Sequence, residues 1–223
     1  MRQTILALEP DWTPRLDQFV VGPNRELVDR LRHWHEAPPE ERMIYLWGPR
    51  SCGKTHLLRA LVPASRHIAC ETTTRIAADR ETLLAIDDVH RLGAEGAIDL
   101  FHRYNERREG GMHLLVSGLC PPGELALLPD LRSRLAWGLV LRIQPLGDED
   151  KFSALQRHAA NLGLDFPDHA LNYLLSHCPR DNNYLFGLMK TLQNWTISTH
   201  RNSITLPMIR TILDQQPGTP PCG

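Results

Sequence analysis

The stretch GPRSCGKT, residues 48–55, has Gly48, Gly53, Lys54 and Thr55 at the spacing of a phosphate-binding loop. Glycines let the backbone N–H groups of the loop, which runs Gly48, Pro49, Arg50, Ser51, Cys52 and Gly53, turn inward onto phosphate oxygens. Lys54 then reaches the β- and γ-phosphates, and the Thr55 hydroxyl ligates magnesium. A second acidic piece, LLAIDDVH, is an apolar run that ends in two carboxylates. In this role Asp87 supports the Mg ion and Asp88 polarises an attacking water. Strands also end in Asp for turn reasons, but the order of loop first and acids later favours the chemical role. The third candidate is PDLRSRLAWGLVL, with Arg132 and Arg134 just before an apolar run. An isolated arginine there is ordinarily a surface cation.

These residues need elements to hold them. MIYLW (43–47) is a compact apolar strand running straight into the glycine loop, and a helix opens near Lys54 and ends by Pro63. RHIAC (66–70), TLLAI (82–86), MHLLVS (112–117) and LVLRI (139–143) read as further strands. Helical spacing appears in the segment capped near Asn24 and in AEGAIDLFHRYNERR. Strands that are apolar throughout and alternate with helices predict a parallel sheet covered on both faces, an α/β fold. After QPLGDED (144–150) the pattern is helical only, over 148–162, 167–177, 182–198 and 207–215. The expected divisions are a tail over 1–15, an α/β nucleotide-binding domain over 16–146, a helical lid domain over 147–216 and a disordered end over 217–223.

Composition narrows the function classes. Hydrophobic residues make up 42% and charged residues 23% of 223, and the formal net charge is −1. No overall basic field draws in nucleic acid or an anionic membrane. Eleven histidines include no HExxH or similar ligand spacing. Five cysteines (Cys52, Cys70, Cys120, Cys178, Cys222) are scattered, with no CxxC, and Cys52 lies inside the phosphate loop. That usage fits a reducing cytoplasm, and no apolar run approaches the roughly 20 residues of a membrane span. The expected location is cytoplasmic.

In order, FVVGPN, GPRSCGKTHLL, IDDVHRL, LFHRYN, SRLAWGL and PLGDEDK resemble the AAA+ domain of the bacterial replication initiator DnaA. The resemblance covers about residues 17–215, and is closer still to the shorter, regulatory Hda-type members of that family. It implies an AAA+ P-loop NTPase-type sheet domain followed by a small helical lid. It maps an arginine finger onto Arg134, a residue that such proteins insert into a neighbouring subunit's ATP site. QTILAL, with Gln3, Leu6 and Leu8, resembles the peptide by which family members dock on the DNA polymerase sliding clamp. An extended peptide of this kind seats its two leucines in an apolar cleft while the amide sets register. The implied function is an adaptor that binds the clamp (the polymerase III beta subunit) and stimulates ATP hydrolysis by DnaA, restraining replication initiation. The implied cofactors are ADP or ATP with Mg. DNA contact is expected through the clamp, since nothing after residue 200 is basic enough to stand in for the DNA-binding domain of DnaA. Self-association into a homo-oligomer stays open.

Two positions depart from the family pattern. Asn183 stands where the lid sensor is an arginine, with Arg180 three residues earlier as the nearest substitute. Leu119 stands at the first sensor, with Ser117 as the nearest polar side chain. Both departures imply weak hydrolysis of the chain's own nucleotide, so that the nucleotide acts as a latch. The alternatives are a helicase-loader-type AAA+ ATPase and, less favoured, a small P-loop kinase.

Overall fold

The structure, a computed structural model, describes residues 14–78, 81–178, 182–199 and 203–214. It divides into two compact units: the first ends at Gln144, and the second begins at Pro145, with Arg50–Cys52 grouped with the second.

The first unit is built on five parallel strands: β1 Met43–Trp47, β2 His67–Ala69, β3 Leu83–Asp87, β4 His113–Gly118 and β5 Leu139–Arg142, in the order β2-β3-β4-β1-β5. The near-continuous apolar runs follow from burial on both faces. Met43, Tyr45, Leu84, Ile86, Leu114 and Val116 form one core with Leu100, Tyr104, Leu131 and Leu135, while the alternating Ile44, Leu46, Ala85 and Leu115 are buried as well. The helices that supply the covering are α1 Arg25–Arg32, α2 Lys54–Leu61, α3 Ala94–Glu109 and α4 Pro129–Trp137. α2 packs against β3 and β4, and α4 packs against α3 and β1.

α4 is a correction to the sequence reading, which treats its residues as a connection before a strand. Pro129 sits at the first helical position, where its missing N–H costs nothing, and Leu131 and Leu135 lie one turn apart, 0% and 2% exposed. Burying two leucines contributes about 1.5–3 kcal/mol each, enough to hold a short helix that is otherwise polar. Asn24 precedes α1 as expected, but its side chain makes no cap. Its Nδ2 donates to the Gln144 carbonyl at 3.0 Å and its Oδ1 accepts the Gln144 N–H at 2.8 Å, fastening the FVVGPN segment to the end of the sheet. Between Glu71 and Ala78 there is no helix, which agrees with the short interval between the second and third strands.

The second unit contains α5 Asp148–Asn161, α6 Asp168–His177, α7 Asn182–Thr199 and α8 Leu206–Asp214. Leu155, Leu171, Leu174, Leu188, Met189, Leu192, Ile209 and Ile212 close its own core. No helix among the described residues is long and apolar enough to cross a membrane.

Candidate functional site

Register brings the chemistry to one end of the sheet. β1 pairs with β4 from Met43↔Leu114 to Trp47↔Gly118, and β3 pairs with β4 up to Ile86↔Val116. Gly48, Asp87 and Ser117 therefore leave adjacent strands at their carboxyl ends, where open α/β sheets receive ligands.

The loop turns sharply to enter α2. Ser51 has φ 58° and Gly53 has φ +102°, and Gly53 caps the helix. A side chain at Gly53 would be strained in that conformation, and its Cβ would lie 2.7 Å from the Phe19 ring. Phe19, from the FVVGPN segment, also faces His56 with ring centroids 5.8 Å apart. Burial lowers the pKa of His56, partly offset by its bond to the Arg15 carbonyl. Gly48 and Cys52 are buried, whereas Pro49 and Arg50 are exposed and Ser51 is half-buried. Lys54 is 5% exposed, and its Nζ donates to the carbonyls of Gly48 at 2.9 Å and Pro49 at 2.8 Å. The ammonium thus sits inside the curve of the loop that precedes it.

Asp87 is 3% exposed and has hydrogen-bond partners at both oxygens. Ser117 Oγ donates to Oδ1, the Asp88 N–H approaches Oδ1 at 3.1 Å, and His67 Nε2 lies 3.3 Å from Oδ2. The Thr55 hydroxyl bonds the same carboxylate. Burial works against the charged form, but the bonds from His67, Ser117 and Thr55 outweigh it and hold the carboxyl below its usual range. An ionised carboxylate beside a threonine hydroxyl is an oxygen donor set suited to magnesium, so Thr55 and Asp87 fit the ion they are expected to hold. Nearby Cys70 is pushed up to about 12 by burial and by the charges of Asp87 and Asp88, so its thiol stays protonated.

Asp88 adopts the left-handed conformation, φ 56° and ψ 46°. Aspartate is one of the few side chains that enter this region, and the cost is of order 1–3 kcal/mol. Its N–H donates to Ser117 Oγ at 2.9 Å, which helps to fix the turn. Its carboxylate is 36% exposed, with His90 Nδ1 4.0 Å away.

Arg134 lies on α4, half-buried between aromatic rings. Its Cζ is 3.9 Å from the Trp137 ring centroid and 5.7 Å from that of Phe101 on α3. It makes no ion pair among the described residues. Arg132, two residues earlier, instead donates to the Gly123 carbonyl at 3.2 Å.

The site residues read from the sequence thus fall into three groups. Loop residues 48–55, Asp87 and Asp88 converge at the strand ends, and Arg134 stands apart from them in the chain on α4. Gln3, Leu6, Leu8 and Arg180 lie outside the described residues, and Asn183 is the second residue of α7, with its side chain likewise outside the description. Leu119, just past β4, is half-buried. The sequence reading did not single out His67 against Asp87, Phe19 over Gly53, or Trp137 under Arg134. Only Trp137 has a local signal, since it follows Arg134 by three residues and meets it once that segment is helical.

Comparison with known proteins agrees with this geometry. A family model described as "Hda, lid domain" matches residues 148–213. An uncharacterized protein of Haemophilus influenzae is 30% identical over 216 residues, covering 89% of this chain and 93% of that protein. Domain III of the replication initiation protein DnaA from Thermotoga maritima superposes with a TM-score of 0.76 at 21% identity, over 92% of this chain and 97% of that one. DnaA from Aquifex aeolicus, solved with AMPPCP bound, gives a TM-score of 0.66 at 20% identity over 82% of this chain and 66% of that one. The chain belongs to the Hda/DnaA-related AAA+ proteins.

Proposed function

We propose that this chain is an adaptor that docks on the replicative sliding clamp through Gln3, Leu6 and Leu8 and uses Arg134 to complete the ATP site of DnaA, triggering hydrolysis there. The observation that carries this reading is Arg134 itself. A half-buried guanidinium that stacks on Trp137 and pairs with no carboxylate among the described residues keeps its charge for a group from outside. Charge on a transferring phosphoryl group grows toward the transition state, and a guanidinium placed there from a partner stabilises it with little reorganisation.

Within the chain, the loop 48–55 binds an adenine nucleotide, a reading supported by the similar fold of the AMPPCP-bound DnaA from Aquifex aeolicus. Lys54 supplies charge to the phosphates. Thr55 and Asp87 hold Mg, which when bound neutralises phosphate charge. Ser117 and His67 keep Asp87 oriented and ionised, while Asp88 is fixed in its turn by Ser117. Asn183, standing in place of a lid arginine, offers an amide and no charge to a γ-phosphate, so ADP is the resting ligand and the nucleotide acts as a latch.

The test is direct. Purified chain, clamp loaded on DNA and ATP-bound DnaA are mixed, and the DnaA-bound nucleotide is followed. Hydrolysis should accelerate only with both chain and clamp present. An unchanged rate in the full mixture refutes the proposal.

A further inference from the structure

We propose that Trp137 is the positioning residue of Arg134, its indole holding the guanidinium at the angle from which it reaches a partner's phosphoryl group. This rests on the reading of Arg134 as a trans-acting finger.

Four observations carry it. Arg134 Cζ stands 3.9 Å from the centroid of the Trp137 ring, van der Waals contact for a cation on an aromatic face. Phe101 borders the same guanidinium at 5.7 Å, so the group is confined on two sides by rings from α3 and α4. Trp137 is 54% exposed, which is unusual for the largest apolar side chain, and core packing therefore does not explain its place. Finally, the ring is held from behind. Leu131 and Leu135 bury the inner face of α4, and Gly138 ends the helix where a Cβ would lie 2.1 Å from the Met43 carbonyl oxygen. The backbone on either side of Trp137 is thereby fixed, and so is the ring's reach over the preceding turn.

The physical gain is entropic. A free arginine samples many rotamers, and each must be lost when it enters a partner's site. Stacking on a fixed indole removes most of that freedom beforehand, while the guanidinium edge keeps its N–H donors. A second cation shares the ring: Arg108 Cζ lies 4.8 Å from the same centroid. Neither guanidinium has a carboxylate partner among the described residues. Two cations gathered at one indole favour the arrival of an anion.

The experiment compares Trp137→Ala, Trp137→Leu, which keeps apolar bulk without a ring, and Trp137→Phe, which keeps a ring. Two readouts are taken: the NMR shift of the Arg134 Nε–Hε group in the isolated full chain, and the rate of DnaA's ATP hydrolysis as the chain is titrated with loaded clamp. The ring-current displacement of the Arg134 signal should vanish in the Ala and Leu variants and survive in part in Phe. The maximal stimulated rate should fall about tenfold in Ala and Leu, with the half-saturating concentration unchanged, and Phe should recover most of it. A raised half-saturating concentration with a full maximal rate would make Trp137 a docking contact and overturn the proposal. So would Ala and Leu variants that stimulate normally while Arg134→Ala does not. If Arg134→Ala itself stimulates normally, the finger reading has failed, and the NMR shift still reports whether Trp137 orders that side chain.

Discussion

Ser117 Oγ donates to Asp87 Oδ1 and accepts the backbone N–H of Asp88 at 2.9 Å, so one buried hydroxyl joins both acids of the IDD sequence. In the sequence Ser117 is the polar side chain nearest to Leu119, which stands at the first sensor position. Its contacts favour a different role: it supports the carboxylate that is expected to hold Mg, and it pins the left-handed turn at Asp88.

The first prediction follows. Ser117→Ala leaves Asp87 with one fewer donor and the Asp88 N–H with one fewer acceptor in a buried setting. That should cost about 1–3 kcal/mol at pH 7. A carboxyl held below its ordinary value binds its proton less readily in the folded chain. Its bonds therefore stabilise the fold above about pH 4, and that contribution disappears as pH falls through the lowered value. Urea denaturation of wild type and variant from pH 7 to pH 3 should show the gap narrowing on the acid side. A gap of constant size would mean that the hydroxyl does not act through the charge of Asp87.

Lys54→Ala tests the loop. The Lys54 ammonium donates to the Gly48 and Pro49 carbonyls, so its removal affects the loop as well as the ligand. Two or three charge-assisted bonds to phosphate, each worth about 1.5–3 kcal/mol, imply that ADP affinity falls by at least about a hundredfold. Calorimetric titration measures it, and the rise in melting temperature that ADP gives the wild type should be lost. The wild type should also bind ADP at least as tightly as ATP. A marked ATP preference would assign the missing sensor charge to Arg180.

How far the sequence carried can be judged from particular residues. MIYLW and the lysine that opens α2 were legible because an apolar run and a glycine loop are local signals, and both begin where expected. α4 was not legible. Nine residues with two arginines and an aspartate give a weak period, and only tertiary burial of Leu131 and Leu135 reveals the helix. The loop, Asp87 and Asp88 were found by pattern. Their supports were not, since His67 and Ser117 reach Asp87 through strand order and register, and Phe19 reaches Gly53 from a segment before the sheet, joining residues 20 to 34 positions apart. Asn24 was placed correctly as a boundary, yet its partner Gln144 lies 120 residues away, beyond any local reading.

Clamp docking is tested by replacing Gln3 and Leu6 together with alanine. The motif needs the amide for register and the leucine for the cleft, so the double variant should lose capture by immobilised clamp. Nucleotide affinity should be unchanged, because the loop 48–55 is untouched. Equal capture of variant and wild type would remove the main support for the adaptor reading over the helicase-loader one.

The last prediction separates the chain's own chemistry from the chemistry it provokes. Trans-acting fingers are worth roughly 10³–10⁵ in rate, about 4–7 kcal/mol, whereas removal of an ordinary surface arginine changes stability by less than about 0.5 kcal/mol. Arg134→Ala should therefore keep ADP affinity and clamp capture and lose nearly all stimulation of DnaA. Loss of its stacking on Trp137 should cost about 0.5–1 kcal/mol in stability, a small figure beside the kinetic loss. Arg134→Lys should fail as well, because an ammonium cannot reproduce the planar two-pronged contact. Arg132→Ala is the internal control, since that side chain is occupied by the Gly123 carbonyl. Single-turnover hydrolysis of ATP on DnaA decides between them. Full stimulation by Arg134→Ala with loss in Arg132→Ala would move the finger by two residues, to the side of α4 that faces Gly123. Full stimulation by both would mean that no arginine of this helix enters the partner's site.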